Sequence, residues 1–390
     1  MVGVAMGMAV ALLLIVVASV LFHILSPWWS TPLASNWKQM DDTLLMTLAV
    51  TGAFFVAINL FVAFILLRHR HRHGQDRRAA YEPENRRLEW WLIGLSTLGI
   101  VGLLAPGLFV YANYVAPPSQ AMLLEVTGQQ WQWHFRFPGK DGRLGTTDAR
   151  FVSVDNPLGL NPDDPAGLDD VMVEGNETQL PLNVPVKVLL RSKDVLHDFY
   201  LPNIRARMNM VPGMVTSFWF TPTQAGRFEV LCAQLCGVGH HNMRGYVRIT
   251  EPAAFETWLA GQHTFAQLRQ ASAAPQAAGA MLGKALAQSK GCVACHSVDG
   301  SASVGPTWRG LFNHSVPLAD GSTRQADAAY LAESIREPQA SVVKGYPPIM
   351  PKTVLSDEEV AALVGYIQSL SSAPATTGAG GTNAATGRQP

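Results

Sequence analysis

The sequence predicts a chain of three parts: a membrane anchor of α-helices, an all-β barrel and a small all-α domain. Long apolar runs near residues 2–25, 44–67 and 90–114 predict the anchor, short alternating strands from residue 119 predict the barrel, and helical periodicity near the C-terminus predicts the last domain. A length of 390 residues allows two or three domains. The predicted boundaries are 1–118 for the anchor, 119–252 for the barrel, 253–279 for a linker, 280–372 for the helical domain and 373–390 for a disordered tail.

Each apolar run of the anchor is about long enough to cross a hydrocarbon core of ~30 Å. The segment RHRHRHGQDRRAAYEPENRR joins the second run to the third, and its excess of arginine assigns it to the cytoplasm. A solvated loop that sets topology is favoured there over a metal site. The first run lacks a charged start and an obvious cleavage site, which favours a retained helix over a secretory signal. Either choice leaves everything after residue 115 outside the cytoplasm.

The barrel is predicted by short β-branched or alternating runs such as MLLEV, WQWHFRF, VKVLLR and GYVRI, separated by turn residues. Residues 140–170 are rich in Asp, Gly and Pro and predict a long surface loop. The last domain ends in SDEEVAALVGYIQSL, where Ser356 and Glu359 have capping-box spacing. The tail has too few apolar residues to pack.

Charge and cysteine content narrow the function. The chain has 29 basic and 29 acidic residues, so no basic patch for nucleic acid dominates it. The four cysteines form two close pairs, Cys232 with Cys236 and Cys292 with Cys295, and none is left over for a disulfide framework. Both pairs therefore predict cofactor sites.

The first pair lies in EVLCAQLCGVGHHNM, where His240 and Met243 follow the two cysteines closely. Thiolate, imidazole and thioether ligands together favour copper. A structural zinc site, or two merely buried cysteines, is the alternative.

The segment from VLHDFYLP to MRGYVRI resembles the cupredoxin domain of cytochrome c oxidase subunit 2, a Greek-key barrel with a two-copper CuA centre. The resemblance implies that Cys232 and Cys236 bridge both coppers, that His197 and His240 bind one each, that Met243 is a weak ligand and that Gln234 contributes its backbone carbonyl. The family usually has Glu at position 234, where the carboxylate binds magnesium at the boundary with subunit 1. A neutral amide is a weaker ligand for a hard cation, so magnesium binding is doubtful here.

Two further positions follow from the same resemblance. In GQQWQWHFRF, Trp131 falls where electrons enter in this family, although Trp131, Trp133 and Phe135 would equally pack one sheet face. In ENRRLEWWLIG, Glu89 falls at the position associated with protons entering the K-pathway of subunit 1, although a carboxylate there also suits a helix N-terminus.

The second cysteine pair lies in GCVACHS, which is the C-x-x-C-H signature of covalent haem c attachment, with His296 as iron ligand. A chance match or a thiol redox pair is the alternative. The surrounding VGPTWRGLF and GYPPIMPKT resemble a class I cytochrome c whose second axial ligand would be Met350 rather than a core methionine.

The domain order resembles subunit 2 of caa-type oxidases, which implies the electron-input subunit of a terminal cytochrome c oxidase. The implied setting is a multi-pass protein of the bacterial inner membrane with both cofactor domains on the periplasmic side. The implied partners are subunit 1 with haem a and CuB, subunit 3, membrane lipid and a periplasmic cytochrome c or other donor. The predicted membrane helices contain a single histidine, His23, and cannot supply the several histidines that two haems and a copper need. We therefore expect that oxygen is not reduced on this chain. The alternatives are a CuA-containing nitric oxide reductase subunit and a stand-alone membrane-anchored electron carrier.

Overall fold

The computed structural model describes residues 2–26, 31–70, 84–153, 156–173, 175–272, 278–300 and 303–372. Most of the arginine-rich loop and the tail predicted to be disordered lie outside the described residues.

Three long apolar helices form the N-terminal part, as the sequence predicts. They are α1 (Val2–Leu25), α2 (Lys38–Arg68) and α3 (Arg86–Tyr114). Each is long and apolar enough to cross a membrane. Large side chains such as Phe109 and Trp90 stay about three-quarters exposed, which suits contact with lipid or a partner subunit. Asn85 caps α3 by accepting a hydrogen bond from the backbone N–H of Leu88.

The middle of the chain is a β-sandwich of two sheets. Its strands are β1 (Met122–Gln129), β2 (Gln132–Phe137), β3 (Val171–Val173), β4 (Glu177–Pro181), β5 (Val186–Ser192), β6 (His197–Leu201), β7 (Ala206–Met210), β8 (Thr216–Phe220), β9 (Gly226–Cys232), β10 (Arg244–Thr250) and β11 (His263–Thr264). One sheet has the order β11-β3-β2-β1-β5-β8 and the other β4-β10-β9-β6-β7. The pairs β1–β5 and β4–β10 are parallel, and the other neighbours are antiparallel.

The inward side chains of both sheets form one aromatic and aliphatic core. Phe135 and Phe199 meet edge to face across it, and Phe199 also packs near Phe218. The alternation that predicted the strands thus places every second side chain in this core.

A buried charge cluster ties the long loop after β2 to this core. Arg136 is 1% exposed and donates to Glu125 at 2.6 Å, to Asp170 at 2.6 Å and to the carbonyl of Gly145 at 3.0 Å. Burial raises the pKa of Asp170 to about 6, although the Arg136 guanidinium opposes that rise.

The stretch predicted as a linker contains two helices, α5 (Pro252–Ala260) and α6 (Phe265–Ser272). Phe255 is buried against Phe137, and Trp258 packs on the same side chain. These aromatic contacts hold α5 against the sandwich. A short helix, α4 (Pro165–Leu168), lies in the long loop.

The C-terminal domain is helical, as predicted, with one added hairpin of short strands. Its elements are α7 (Ala278–Ser289), β12 (Ser315–Pro317), β13 (Thr323–Gln325), α8 (Ala328–Arg336) and α9 (Asp357–Ser372). The helices α7 and α9 cross closely at Gly283, where a Cβ would lie 2.0 Å from the carbonyl oxygen of Ala362. Ser356 and Glu359 exchange backbone and side-chain hydrogen bonds, so the predicted capping box is confirmed.

An aromatic cluster joins the sandwich to the anchor. Trp37, at the start of α2, donates from Nε1 to the carbonyl of Trp219 at 2.8 Å. Tyr114, at the end of α3, stacks on Phe218 and donates to the carbonyl of Arg207 at 3.0 Å. The ends of both helices are thereby fixed to strands of the sandwich.

Candidate functional site

The residues of the first cysteine pair converge at one end of the sandwich. His197 begins β6, Cys232 ends β9 beside it, and the segment 232–243, hereafter the ligand loop, supplies the rest. Cys232 Sγ lies 3.7 Å from Cys236 Sγ and 3.9 Å from His197 Nδ1, and Cys236 Sγ lies 3.5 Å from His240 Nδ1 and 3.7 Å from Met243 Sδ. Two ligands about 2.3 Å from a shared ion in tetrahedral geometry lie roughly 3.7 Å apart. The spacing therefore fits metal ligation.

Burial and charge also fit a metal centre. His197 and Met243 are at most 1% exposed, and Cys236 is 3% exposed. The hydrogen bond from the Cys236 thiol holds the pKa of Cys232 at about 3, and the same contact raises the pKa of Cys236. One cysteine is therefore ready as a thiolate, the form that binds metal. The carbonyl oxygen of Gln234 lies 3.2 Å from Cys232 Sγ, on the edge of the same centre.

Asp194 orients His197 from behind. Its Oδ1 lies 2.8 Å from His197 Nε2, while its carboxylate accepts from the backbone N–H groups of Val195 and Gln130 at 2.7 Å each. Burial lowers the pKa of His197, but the hydrogen bonds with Asp194 and Cys232 outweigh burial and raise it. The outer nitrogen is thus occupied and Nδ1 faces the cysteines. Carboxylate support of a histidine ligand is a common feature of metal sites.

The second cysteine pair opens onto a cavity in the helical domain. Cys292, Cys295, His296 and Met350 all line it, together with aromatic and aliphatic side chains. His296 Nδ1 lies 2.8 Å from the carbonyl oxygen of Pro306, and its ring stacks on Trp308 at 5.1 Å between centroids. This contact occupies Nδ1, so Nε2 is the ring nitrogen available to bind a metal.

Two details fit a large planar cofactor in this cavity. Gly305 packs so tightly on His296 that a Cβ would lie 2.8 Å from its Cε1, which fixes the ring. Ser334 lines the cavity with a buried Oγ that has no hydrogen-bond partner among the described residues.

Burial raises the pKa of Cys292 to about 11 and also raises that of Cys295. A thiol redox pair needs a lowered pKa, so the redox alternative is disfavoured.

The two sites share a wall. Trp131, Val238, Gly239 and His241 of the sandwich line the same cavity as the second cysteine pair. The Nε1 of Trp131 donates to the carbonyl of Cys236 at 3.1 Å, so this indole both borders the cavity and contacts the ligand loop. Gln130 donates to the same carbonyl at 2.8 Å.

Comparisons with known proteins match both of these domains to known families. A family model described as "Cytochrome C oxidase subunit II, periplasmic domain" matches residues 122–249, and one described as "Cytochrome c" matches residues 280–371. The "Alternative cytochrome c oxidase subunit 2" of Bradyrhizobium diazoefficiens is 54% identical over 263 residues, which cover 67% of this chain and 94% of that relative. The chain belongs to the cytochrome c oxidase subunit 2 family.

Two other similar proteins carry related descriptions. The "Cytochrome c oxidase subunit 2" of Alkalihalophilus pseudofirmus is 22% identical over 343 residues, covering 84% of this chain and 86% of the relative. The crystal structure of the periplasmic domain of subunit II of cytochrome oxidase from Bradyrhizobium japonicum is 25% identical, covers 37% of this chain and 95% of its own, and has a TM-score of 0.28.

Membership settles the general role. The chain is a cytochrome c oxidase subunit 2 with a C-terminal cytochrome c domain, the electron-input subunit of the oxidase and a partner of its subunit 1. It is a membrane protein, and its β-sandwich, which matches the subunit II model, is periplasmic. The nitric oxide reductase and stand-alone carrier alternatives are not favoured.

Glu89 and two further histidines are not part of the two cysteine clusters. Glu89 is exposed in the first turn of α3, at the N-terminal end of this helix and directly after the arginine-rich loop. His134 lies on β2, where its Nε2 is 3.1 Å from the Gln129 side chain, and His241 is exposed at the cavity wall. Among the described residues, the metal-type cluster consists of His197, Cys232 and Cys236.

Sequence reasoning missed three residues that support the first cysteine pair and Trp131. Asp194 stands three positions before His197, a spacing that could have suggested a supporting carboxylate. Gln130 and Gly239 gave no such signal. Their contacts with the ligand loop and with Trp131 join segments more than a hundred residues apart.

Proposed function

We propose that the CuA coppers are held by this chain's ligand loop and that a haem c is held in the cytochrome cavity. The proposed copper ligands are His197, Cys232, Cys236, His240, Met243 and the carbonyl of Gln234. The proposed haem residues are Cys292 and Cys295 for covalent attachment and His296 and Met350 as axial ligands. When bound, the two cofactors supply one-electron redox chemistry, and a periplasmic cytochrome c or similar protein is the expected donor.

The single observation that carries this proposal is the shared wall at Trp131. The cavity that contains all four proposed haem residues also touches the residue that donates to Cys236. The indole therefore lies between the two proposed cofactors, and we assign Trp131 the bridging position for electrons. Its packing against Gly239 keeps it there.

The chain contributes rigidity at the copper ligands. His197 is completely buried and held by Asp194. Backbone hydrogen bonds hold Cys232, whose N–H donates to the Met243 carbonyl, and the Cys236 carbonyl accepts from the side chains of Gln130 and Trp131. Ligands that cannot move keep their positions when the charge of the centre changes. A small structural change on oxidation favours fast electron transfer.

The haem residues likewise have support from their surroundings. The Pro306 carbonyl holds His296 through Nδ1 and leaves Nε2 available to bind a haem iron, and a histidine and methionine ligand pair would give that haem a high potential. Ser334 offers a hydrogen-bond partner to a polar group of the porphyrin. The apolar lining excludes water from the ring.

Other assignments complete the proposal. Glu89, exposed on the loop side of α3, is proposed as the point where protons reach subunit 1. Gln234 presents a neutral amide where Glu is usual in the family, so we expect weak magnesium binding at most. The role of the family supports two further parts of the proposal: a multi-pass position in the bacterial inner membrane and contact with subunit 3.

Cofactor content tests the proposal. The tagged chain is purified in mild detergent with its partner subunits, and haems are identified by alkaline pyridine spectra while copper is counted by elemental analysis. Haem a beside haem c is expected, and Cys236→Ser should lose the CuA copper while keeping haem c. Haem c without any partner haem, or unchanged copper in Cys236→Ser, would contradict the assignment.

A further inference from the structure

The cytochrome domain touches the sandwich through amide side chains that donate to backbone carbonyls. Gln129 donates to the carbonyl of Ser289, Gln132 to that of Gln288, and Asn242 to that of Ala294. All three donors belong to the sandwich, and all three acceptors lie just before or within CVACH. Between described residues, no ion pair joins the two domains.

Two of these acceptors are at the C-terminal end of α7. The last four carbonyls of an α-helix have no partner within the helix and carry partial negative charge. Gln288 and Ser289 are the last two residues of α7. The side chains of Gln132 and Gln129 therefore cap a helix of the other domain.

The surroundings of these two glutamines suit the negative end of a helix. Gln129 is 8% exposed and Gln132 is 4% exposed, so their amides need partners. Behind Gln129, the Lys193 Nζ lies 3.4 Å from its Oε1 and His134 contacts the same oxygen. Lys193 therefore holds the side-chain oxygen of Gln129 towards the sandwich, which leaves the amide nitrogen directed towards α7.

Gly291 completes the contact, directly after α7. It has a φ of 73°, and a Cβ there would lie 2.5 Å from the carbonyl oxygen of Gln130. The glycine thus permits both the left-handed turn into CVACH and the close approach of the two backbones.

We infer that Gln129, Gln132 and Asn242 form a docking surface for this chain's own cytochrome domain, capping α7 from outside and holding its cavity against Trp131. The surface takes one specific partner, a helix C-terminus followed by a left-handed glycine. Docking covers Trp131, so a soluble donor contacts the cytochrome domain rather than the sandwich. The inference deepens the proposed function, but the docking itself does not depend on the cofactor assignments.

Charge at position 132 tests the inference in the full, cofactor-loaded chain. Gln132→Glu removes the donor and places negative charge at the helix end, whereas Gln132→Lys keeps a donor and adds favourable charge. Gln120→Glu, at an exposed position of the same domain, is the control for the charge change. Hydrogen exchange is followed at the amides of residues 129–132 and 290–296.

We expect Gln132→Glu combined with Gln129→Glu to exchange at least about tenfold faster in both segments, as the loss of two hydrogen bonds implies. Gln120→Glu should match the wild type, and Gln132→Lys should exchange more slowly than Gln132→Glu because it keeps a donor at the helix end. Equal exchange in the Glu and Lys variants, or wild-type exchange in the double variant, would overturn the docking surface. Protected segments in a chain that lacks copper or haem would instead leave the docking intact and refute the proposed function.

Discussion

Gly239 offers a direct test of how Trp131 is held against the ligand loop. A Cβ at Gly239 would lie 2.3 Å from Trp131 Cδ2, so Gly239→Ala must separate the two groups by about 1 Å to reach an ordinary contact of ~3.5 Å. The Trp131 hydrogen bond to Cys236 is 3.1 Å long, and such a displacement takes it beyond hydrogen-bond range. The overpacking and the lost hydrogen bond together predict a loss of about 2–4 kcal/mol in the free energy of unfolding.

A matched control separates the contact from the backbone. Gly239 has φ −88° and ψ 8°, and Gly261 has φ −84° and ψ −6°, but a Cβ at Gly261 meets its nearest atom at 3.4 Å. Gly261→Ala therefore makes the same chemical change in the same conformation without the clash. Thermal unfolding of the full chain in detergent, followed by near-ultraviolet circular dichroism, should show a Tm several degrees lower for Gly239→Ala only.

A double-mutant cycle completes this test. Trp131→Ala removes the ring that the new methyl group would strike, so Gly239→Ala should cost little in that background. The reasoning fails if the two glycine variants unfold at the same temperature, or if Gly239→Ala is equally damaging without the indole.

Other expectations concern the buried charges and the copper ligands. Arg136→Met leaves buried carboxylates unpaired and should cost about 3–5 kcal/mol in urea unfolding, whereas Arg150→Met, at an exposed pair, should leave the midpoint nearly unchanged. Burial raises the folded-state pKa of Asp170 to about 6, so the stability that its protonated form contributes is full below the unfolded pKa near 3.8 and is lost as the pH rises through 6. Asp170→Asn should therefore reduce the change of the unfolding midpoint with pH across this range. An unchanged dependence of the midpoint on pH would contradict the assignment. Asp194→Asn weakens the support of His197 and should lower copper affinity roughly 10–100-fold in chelator competition, with wild-type affinity as the opposing result.

The sequence was most informative where local pattern decides structure. Apolar runs located all three anchor helices, although α2 begins at Lys38 rather than near 44 because the polar segment KQMDD continues the helix beyond its apolar part. Strand alternation predicted the all-β domain, which was expected to be a barrel and is a sandwich of two sheets, and the spacing in the two cysteine motifs predicted that Cys232, Cys236, His240 and Met243 lie together and that His296 lies beside Cys295.

Contacts between distant segments could not be read from spacing. His197 lies 35 positions before Cys232 and reaches it only because β6 pairs with β9, so its role came from resemblance alone. The helices in the predicted linker were missed since Phe255 finds its partner, Phe137, on a strand far earlier in the chain. The docking surface depends on two domains meeting, which no local periodicity encodes.

The aromatic cluster that joins the anchor to the sandwich has a consequence for assembly of the oxidase. Trp37 and Tyr114 connect the periplasmic ends of α2 and α3 to strands of the sandwich through contacts with Trp219, Phe218 and Arg207. These contacts restrict rotation of the sandwich relative to the two helices. Contacts of subunit 1 with these helices within the bilayer therefore also affect the position of the sandwich. The same contacts link the placement of the helices to the orientation of the ligand loop above the membrane.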